Sequence, residues 1–128
     1  MERKKVSSGT TWEEKVGYSR AIQTGNYIEV SGTTAVVNNE VVCIGDAYGQ
    51  TKFIFNIIEN ALNKLGATLS DVVRTRMYVT DISKFEDYTK AHGEFFKDVR
   101  PAATLVEVSG LVHPNMLIEI EVTAIKDD

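Results

Sequence analysis

A chain of 128 residues, 43% hydrophobic and 25% charged, can bury one core and reads as a single soluble domain spanning 1–128. Its formal net charge of −4 and pI near 5.2, with one basic cluster at Arg3-Lys4-Lys5, exclude an electrostatic nucleic-acid binder, which needs a clustered basic surface. One cysteine excludes an internal disulfide, the distant His92 and His113 do not make a zinc spacing, and no apolar run approaches the roughly 20 residues of a membrane span.

The opening "MERKKVSSGTTWEEK" has no apolar run and is not a signal peptide, so a cytoplasmic protein with a loose segment over 1–15 is expected. "YSRAIQTGNYIEVSGTT" reads as a hairpin turning at Thr24-Gly25-Asn26, with Tyr27–Thr33 alternating as a strand. "TAVVNNEVVCIG" predicts a second tight turn at Asn38-Asn39 between two short strands, with Cys43 a small strand residue facing the interior. From Ala47 to Leu65 the apolar period changes to that of a helix, with Asp46 as N-cap and Gly66 as its stop. "DVVRTRMYVTDI" is a strand, and "SKFEDYTKAHGEFF" a second helix. A Ser83/Glu86 capping box opens that helix, and Phe85, Tyr88, His92 and Phe95 form its inner stripe. Pro101 blocks helix and leads into two final strands.

The order βββαβαββ describes an α+β domain, one mixed sheet with two helices on one face. Strand parity puts Val106, Val108, Ile118, Ile120 and Val122 under the helices. The other face then carries Glu107, Glu119 and Glu121 with Tyr27, Glu29, Ser31, Arg74, Arg76, Tyr78, Leu105, Leu117 and Thr123. That mixture is either a wet face with Arg–Glu pairs or a subunit interface with polar pockets. Neither a G-x-S-x-G elbow around Ser31 nor a dinucleotide or P-loop glycine pattern is present.

"VGYSRA", "IEVSGTT", "DVVRTRMYVTDISKFEDY" and "RPAATLVEVSGLVHPNMLIEIE" together resemble the RidA/YjgF family of reactive intermediate deaminases, over nearly the whole chain from Val16. The resemblance implies a chorismate-mutase-like fold and a homotrimer around a central barrel, with small-molecule clefts between subunits. It implies hydrolysis of enamines and imines to a keto acid and ammonia, without a cofactor. It also implies that Tyr18 lines the cleft, that Ser31-Gly32 offers backbone groups to the ligand and that Glu119 positions water. In the family's "PAR" element an arginine binds the substrate carboxylate; here that position holds Ala103, with Leu105 where a cysteine is common and Thr89 where a neighbouring subunit supplies an asparagine. Alanine offers a carboxylate no charge-assisted hydrogen bond, so specificity is altered, and Arg20 or Arg76 is the replacement to consider. Two functions follow as expectations: a trimeric hydrolase of small imines, or a binding module on the same scaffold. A ribonuclease does not fit the acidic charge.

Overall fold

A computed structural model describes residues 2–127 of the chain. The main sheet is built from β1 (Arg3–Val6), β2 (Ala21–Thr24), β3 (Tyr27–Thr33), β6 (Val72–Val79), β7 (Ala102–Glu107) and β8 (Ile118–Ile125), with a separate ribbon of β4 (Val36–Val37) and β5 (Glu40–Val41). Its order is β1-β2-β3-β8-β6-β7, and only the β6–β7 pair is parallel. The helices are α1 (Thr11–Val16), α2 (Ala47–Lys64) and α3 (Phe85–Phe96).

The expected turns hold because their chemistry is local. Asn38 and Asn39 both take positive φ, as the short β4–β5 turn requires. The Asp46 carboxylate accepts from Gly49 N at 2.8 Å and caps α2, while Gly66 ends it in the left-handed region. One face of α2 buries Ile54, Phe55, Ile58 and Leu62 against β3 and β8, whose Ile28, Val30, Ile118, Ile120 and Val122 are fully or nearly fully buried. α3 lies beside α2 and reaches β6 where His92 Nε2 meets Thr75 Oγ1 at 2.9 Å. Both helices therefore cover the same sheet face. Among the described residues, no helix is long and apolar enough to cross a membrane.

Several expectations need correction. Where a loose segment over 1–15 was expected, β1 pairs with β2 from Arg3 to Val6, and α1 follows. On β7 the parity is inverted. Leu105 stands beside Met77 and packs on the core, while Val106 stands beside Tyr78 on the open face and is 42% exposed. Glu107 likewise lies on the helix side, accepting from Ile82 N at 2.9 Å. Leu117 precedes β8 and packs on the core. Cys43 is exposed at φ 54°, in the bend before α2. α3 begins at Phe85, which is half exposed; its N-cap is Lys84 with no side-chain cap, so the expected Ser83/Glu86 box does not form, and Asp81 instead caps the short 3-10 turn Ile82–Lys84 by accepting from Ser83 N at 3.0 Å.

His92 is packed between Phe55 and Phe96, and burial pushes its imidazole below the ordinary 6.5. A depressed folded-state value means that the native state binds fewer protons than the unfolded one. The stability this histidine contributes is complete above about pH 6.5 and is lost as pH falls through the folded value. The urea midpoint therefore falls more steeply between pH 7.5 and 5 in the parent than in His92→Gln; equal slopes would assign the acid sensitivity elsewhere.

Candidate functional site

The site grows from a break in the β3–β8 ladder. Val30 faces Val122 and Thr33 faces Ile120, so two residues of β3 oppose one of β8. This bulge takes Ser31 and Gly32 out of alternation and turns the strand. The Ser31 hydroxyl donates to Ser19 O at 2.6 Å and its N–H to Arg20 O at 2.9 Å. The Ser31 N–H is thus engaged within the chain. Gly32 is required by close approach: a Cβ there would stand 2.0 Å from Glu119 Oε2.

Glu119 follows the buried Ile118 on β8 and stands beside Tyr78 on the open face. Burial, then the Glu121 charge, push its carboxyl above the ordinary 4.5, and Arg20 pulls it partly back. Glu121 has a different setting, accepting from Tyr78 OH at 2.9 Å with Arg76 Nε 3.8 Å away. That pair satisfies Arg76 at the sheet surface. Gly32→Ala tests the packing directly. The obstacle is the end of a flexible side chain, so the chain folds with a stability change of no more than about 1 kcal/mol. Carboxyl-carbon NMR titration then finds Glu119 moved back toward 4.5; an unmoved titration would place the carboxylate away from Gly32.

Arg20 is 7% exposed, far from a surface residue. Its Nη1 donates to Gly32 O at 3.1 Å and Thr33 Oγ1 at 2.9 Å, and the Tyr18 ring lies 5.5 Å from the guanidinium carbon. Glu13 Oε2 stands 3.7 Å from Nε, which makes no hydrogen bond. Glu13 is itself buried and gathers Ser7 Oγ at 2.9 Å, Ser8 N at 3.2 Å, the Ser8 hydroxyl and Thr10 Oγ1 at 3.2 Å. Burial pushes its carboxyl up, but the donors from Ser8, Ser7 and Thr10 outweigh that and hold it below 4.5. Sequence reading missed Glu13. The available signal was Thr10 and Glu13 spaced three apart at the start of α1, a capping pattern.

Tyr18, Arg20 and Gly32 line a cavity of about 780 Å³, with Val36, Phe53 and Met116 on its walls. The structure thus brings Tyr18, Arg20, Ser31, Gly32 and Glu119 together around the bulge. It does not add the other expected residues. Thr89 lies on α3 and donates to Phe85 O at 2.9 Å. Ala103 stands beside the buried Thr75, and Leu105 beside Met77, so both take the helix side of β7, opposite to Glu119. Among the described residues no cluster of three metal-ligating side chains occurs.

Residues 10–126 match the family model described as Endoribonuclease L-PSP. The chain is 36% identical over 104 residues to the 3-aminoacrylate deaminase RutC of Acinetobacter baylyi, covering 80% of this chain and 82% of that protein. It is also 36% identical over 121 residues to an uncharacterized protein of Streptomyces coelicolor, covering 94% and 90%. Its fold superposes with a TM-score of 0.88 on a Mycobacterium tuberculosis member of the YjgF/YER057c/UK114 family, 44% identical, covering 97% of this chain and 99% of that one.

Proposed function

The chain belongs to the RidA/YjgF family, the one described by the Endoribonuclease L-PSP model, and from that premise we propose that it hydrolyses small imines or enamines as a homotrimer with clefts between subunits. The observation that carries this reading is the Glu119 carboxylate seated over Gly32, half-buried and raised above its ordinary value. A carboxylate so placed accepts a proton from water as the oxygen adds to the imine carbon. Glu119 returns that proton to the imine nitrogen; as the resulting carbinolamine collapses, its hydroxyl proton passes to the nitrogen, which leaves as ammonia, and a carbonyl compound remains. Being called a 3-aminoacrylate deaminase, the Acinetobacter baylyi relative lends the reaction class support.

Ala103 and Glu119 lie on opposite sheet faces of one chain, so any cleft that joins them draws on two copies. The open face favours such assembly, since it leaves Tyr27, Val106 and Ile125 each more than 40% exposed around the Glu29–Thr123 and Arg76–Glu121 contacts. Light scattering at micromolar concentration is expected to give three times 14.2 kDa. A stable monomer would remove the cleft and this reading with it. Ala103 itself favours the second reading, a trimeric module that binds a small metabolite without turning it over. Screening imines generated in situ by an amino-acid oxidase separates the two: turnover above the spontaneous rate supports the hydrolase.

A further inference from the structure

The cavity beside the bulge has a composition that water-orienting chemistry does not use. At its floor sits the buried Arg20 guanidinium, and its walls are the half-buried Val36, Phe53, Ile57 and Met116. Trp12, 54% exposed, stands at the rim with Tyr18. Glu119 does not line it. We propose that this cavity is a binding site for a monocarboxylate with a bulky apolar body, its carboxylate on Arg20 and its body along Val36, Phe53, Ile57 and Met116.

Arg20 is built as an anchor. Three of its polar contacts fix it: Gly32 O, Thr33 Oγ1 and the Glu13 carboxylate, itself held by four donor groups from Ser7, Ser8 and Thr10. A guanidinium so held loses little freedom on binding. Its Nε has no hydrogen-bond partner, and its Nη2 makes no hydrogen bond to a described residue. Nη2 is therefore the corner left to donate to a ligand oxygen. Two carboxylates nearby, Glu13 at 3.7 Å from Nε and Glu119 over Gly32, repel a dianionic phosphate more than a singly charged head. The volume of about 780 Å³ suits a drug-sized ligand and far exceeds what a three-carbon imino acid fills. Four apolar side chains left half-buried around one charge need an apolar body to cover them.

Every residue of the site comes from one chain, so it stands whether or not Glu119 performs hydrolysis. Trp12, the single tryptophan, reports on it by fluorescence. Titration with 3-phenylpropionate is expected to saturate. Propionate, which lacks the body, and 3-phenylpropan-1-ol, which lacks the charge, are expected to bind at least about 10-fold more weakly. Arg20→Gln is expected to weaken 3-phenylpropionate by about 10- to 100-fold. Ile57→Tyr, which fills the apolar end and leaves Arg20 in place, should weaken it as well, and serves if Arg20→Gln does not fold. No saturation to about 10 mM, equal binding of the alcohol, or full affinity in both Arg20→Gln and Ile57→Tyr would each overturn the proposal. Saturation without hydrolysis of any imine would remove the proposed chemistry and leave this site standing.

Discussion

Glu119→Gln is expected to lower imine hydrolysis by about 10²–10⁴-fold while Glu121→Gln changes it little. Both carboxylates share the open face of β8, about 7 Å apart by strand rise, so they form a matched pair. Their surroundings separate them. Glu121 is engaged by Tyr78 and Arg76. Glu119 accepts no hydrogen bond from a described residue, and its carboxylate lies against the bare α-carbon of Gly32. A raised carboxyl nearer to neutrality is a better general base than one at its ordinary value. Glutamine keeps the shape and removes both the charge and the proton acceptor. The measurement is kcat and KM for a turned-over imine, with light scattering to show that assembly is unchanged. A fall confined to kcat is expected, because water activation acts in the transition state. If both variants turn over like the parent, Glu119 is a packing partner of Gly32 and another group activates the water.

A second consequence of the raised carboxyl concerns stability, with the opposite sign to His92. A folded-state value above the ordinary one means that the native state binds protons more tightly than the unfolded chain. Glu119 therefore favours the folded state below about pH 4.5, and that contribution is lost as pH rises through the folded value. Glu119→Gln should match or exceed the parent in stability at neutral pH, which keeps its loss of activity from being read as unfolding.

The parts of the fold that were legible are those written in short-range chemistry. Asn38-Asn39, the Asp46 cap and the period of α2 each depend on residues within one turn, and each appears where expected. β1 was illegible because it is an edge strand: three successive cations suit an edge that must not pair with another chain, and they also look like a tail. β7 was misread because it is the opposite edge. Its residues are all exposed or half exposed, so Leu105 and Val106 carry no contrast from which parity could be taken. Of the residues grouped around the bulge, Glu119, Gly32 and Tyr18 were named by the family resemblance, whereas the Glu13–Arg20 pair was not. Burial of two opposite charges depends on β1, α1 and the β3 bulge meeting, and no periodicity within one element encodes it.

Deamination of 2-aminoacrylate-type intermediates is expected to be about 30- to several thousand-fold slower than in an arginine-bearing relative. The difference is that of one bidentate, charge-assisted contact to the substrate carboxylate, on the order of 2–5 kcal/mol in a partly dry site. Ala103 sits on the edge strand with its side chain exposed, so nothing in its own position supplies a donor. Arg20 does not replace it in place, because it is fixed on the far side of the sheet centre against Gly32 and Thr33. A dehydratase that releases the imine, coupled to detection of the keto acid, measures the effect. Ala103→Arg has room at the exposed edge and is expected to recover part of the activity, more so when Leu105 and Thr89 are changed with it. Parent activity equal to that of an arginine-bearing protein would show that the carboxylate is held elsewhere. Arg20→Gln, tested in the same assay, would then lose that activity if the cavity beside the bulge is where the small acid binds, and keep it if another copy's cation reaches the cleft.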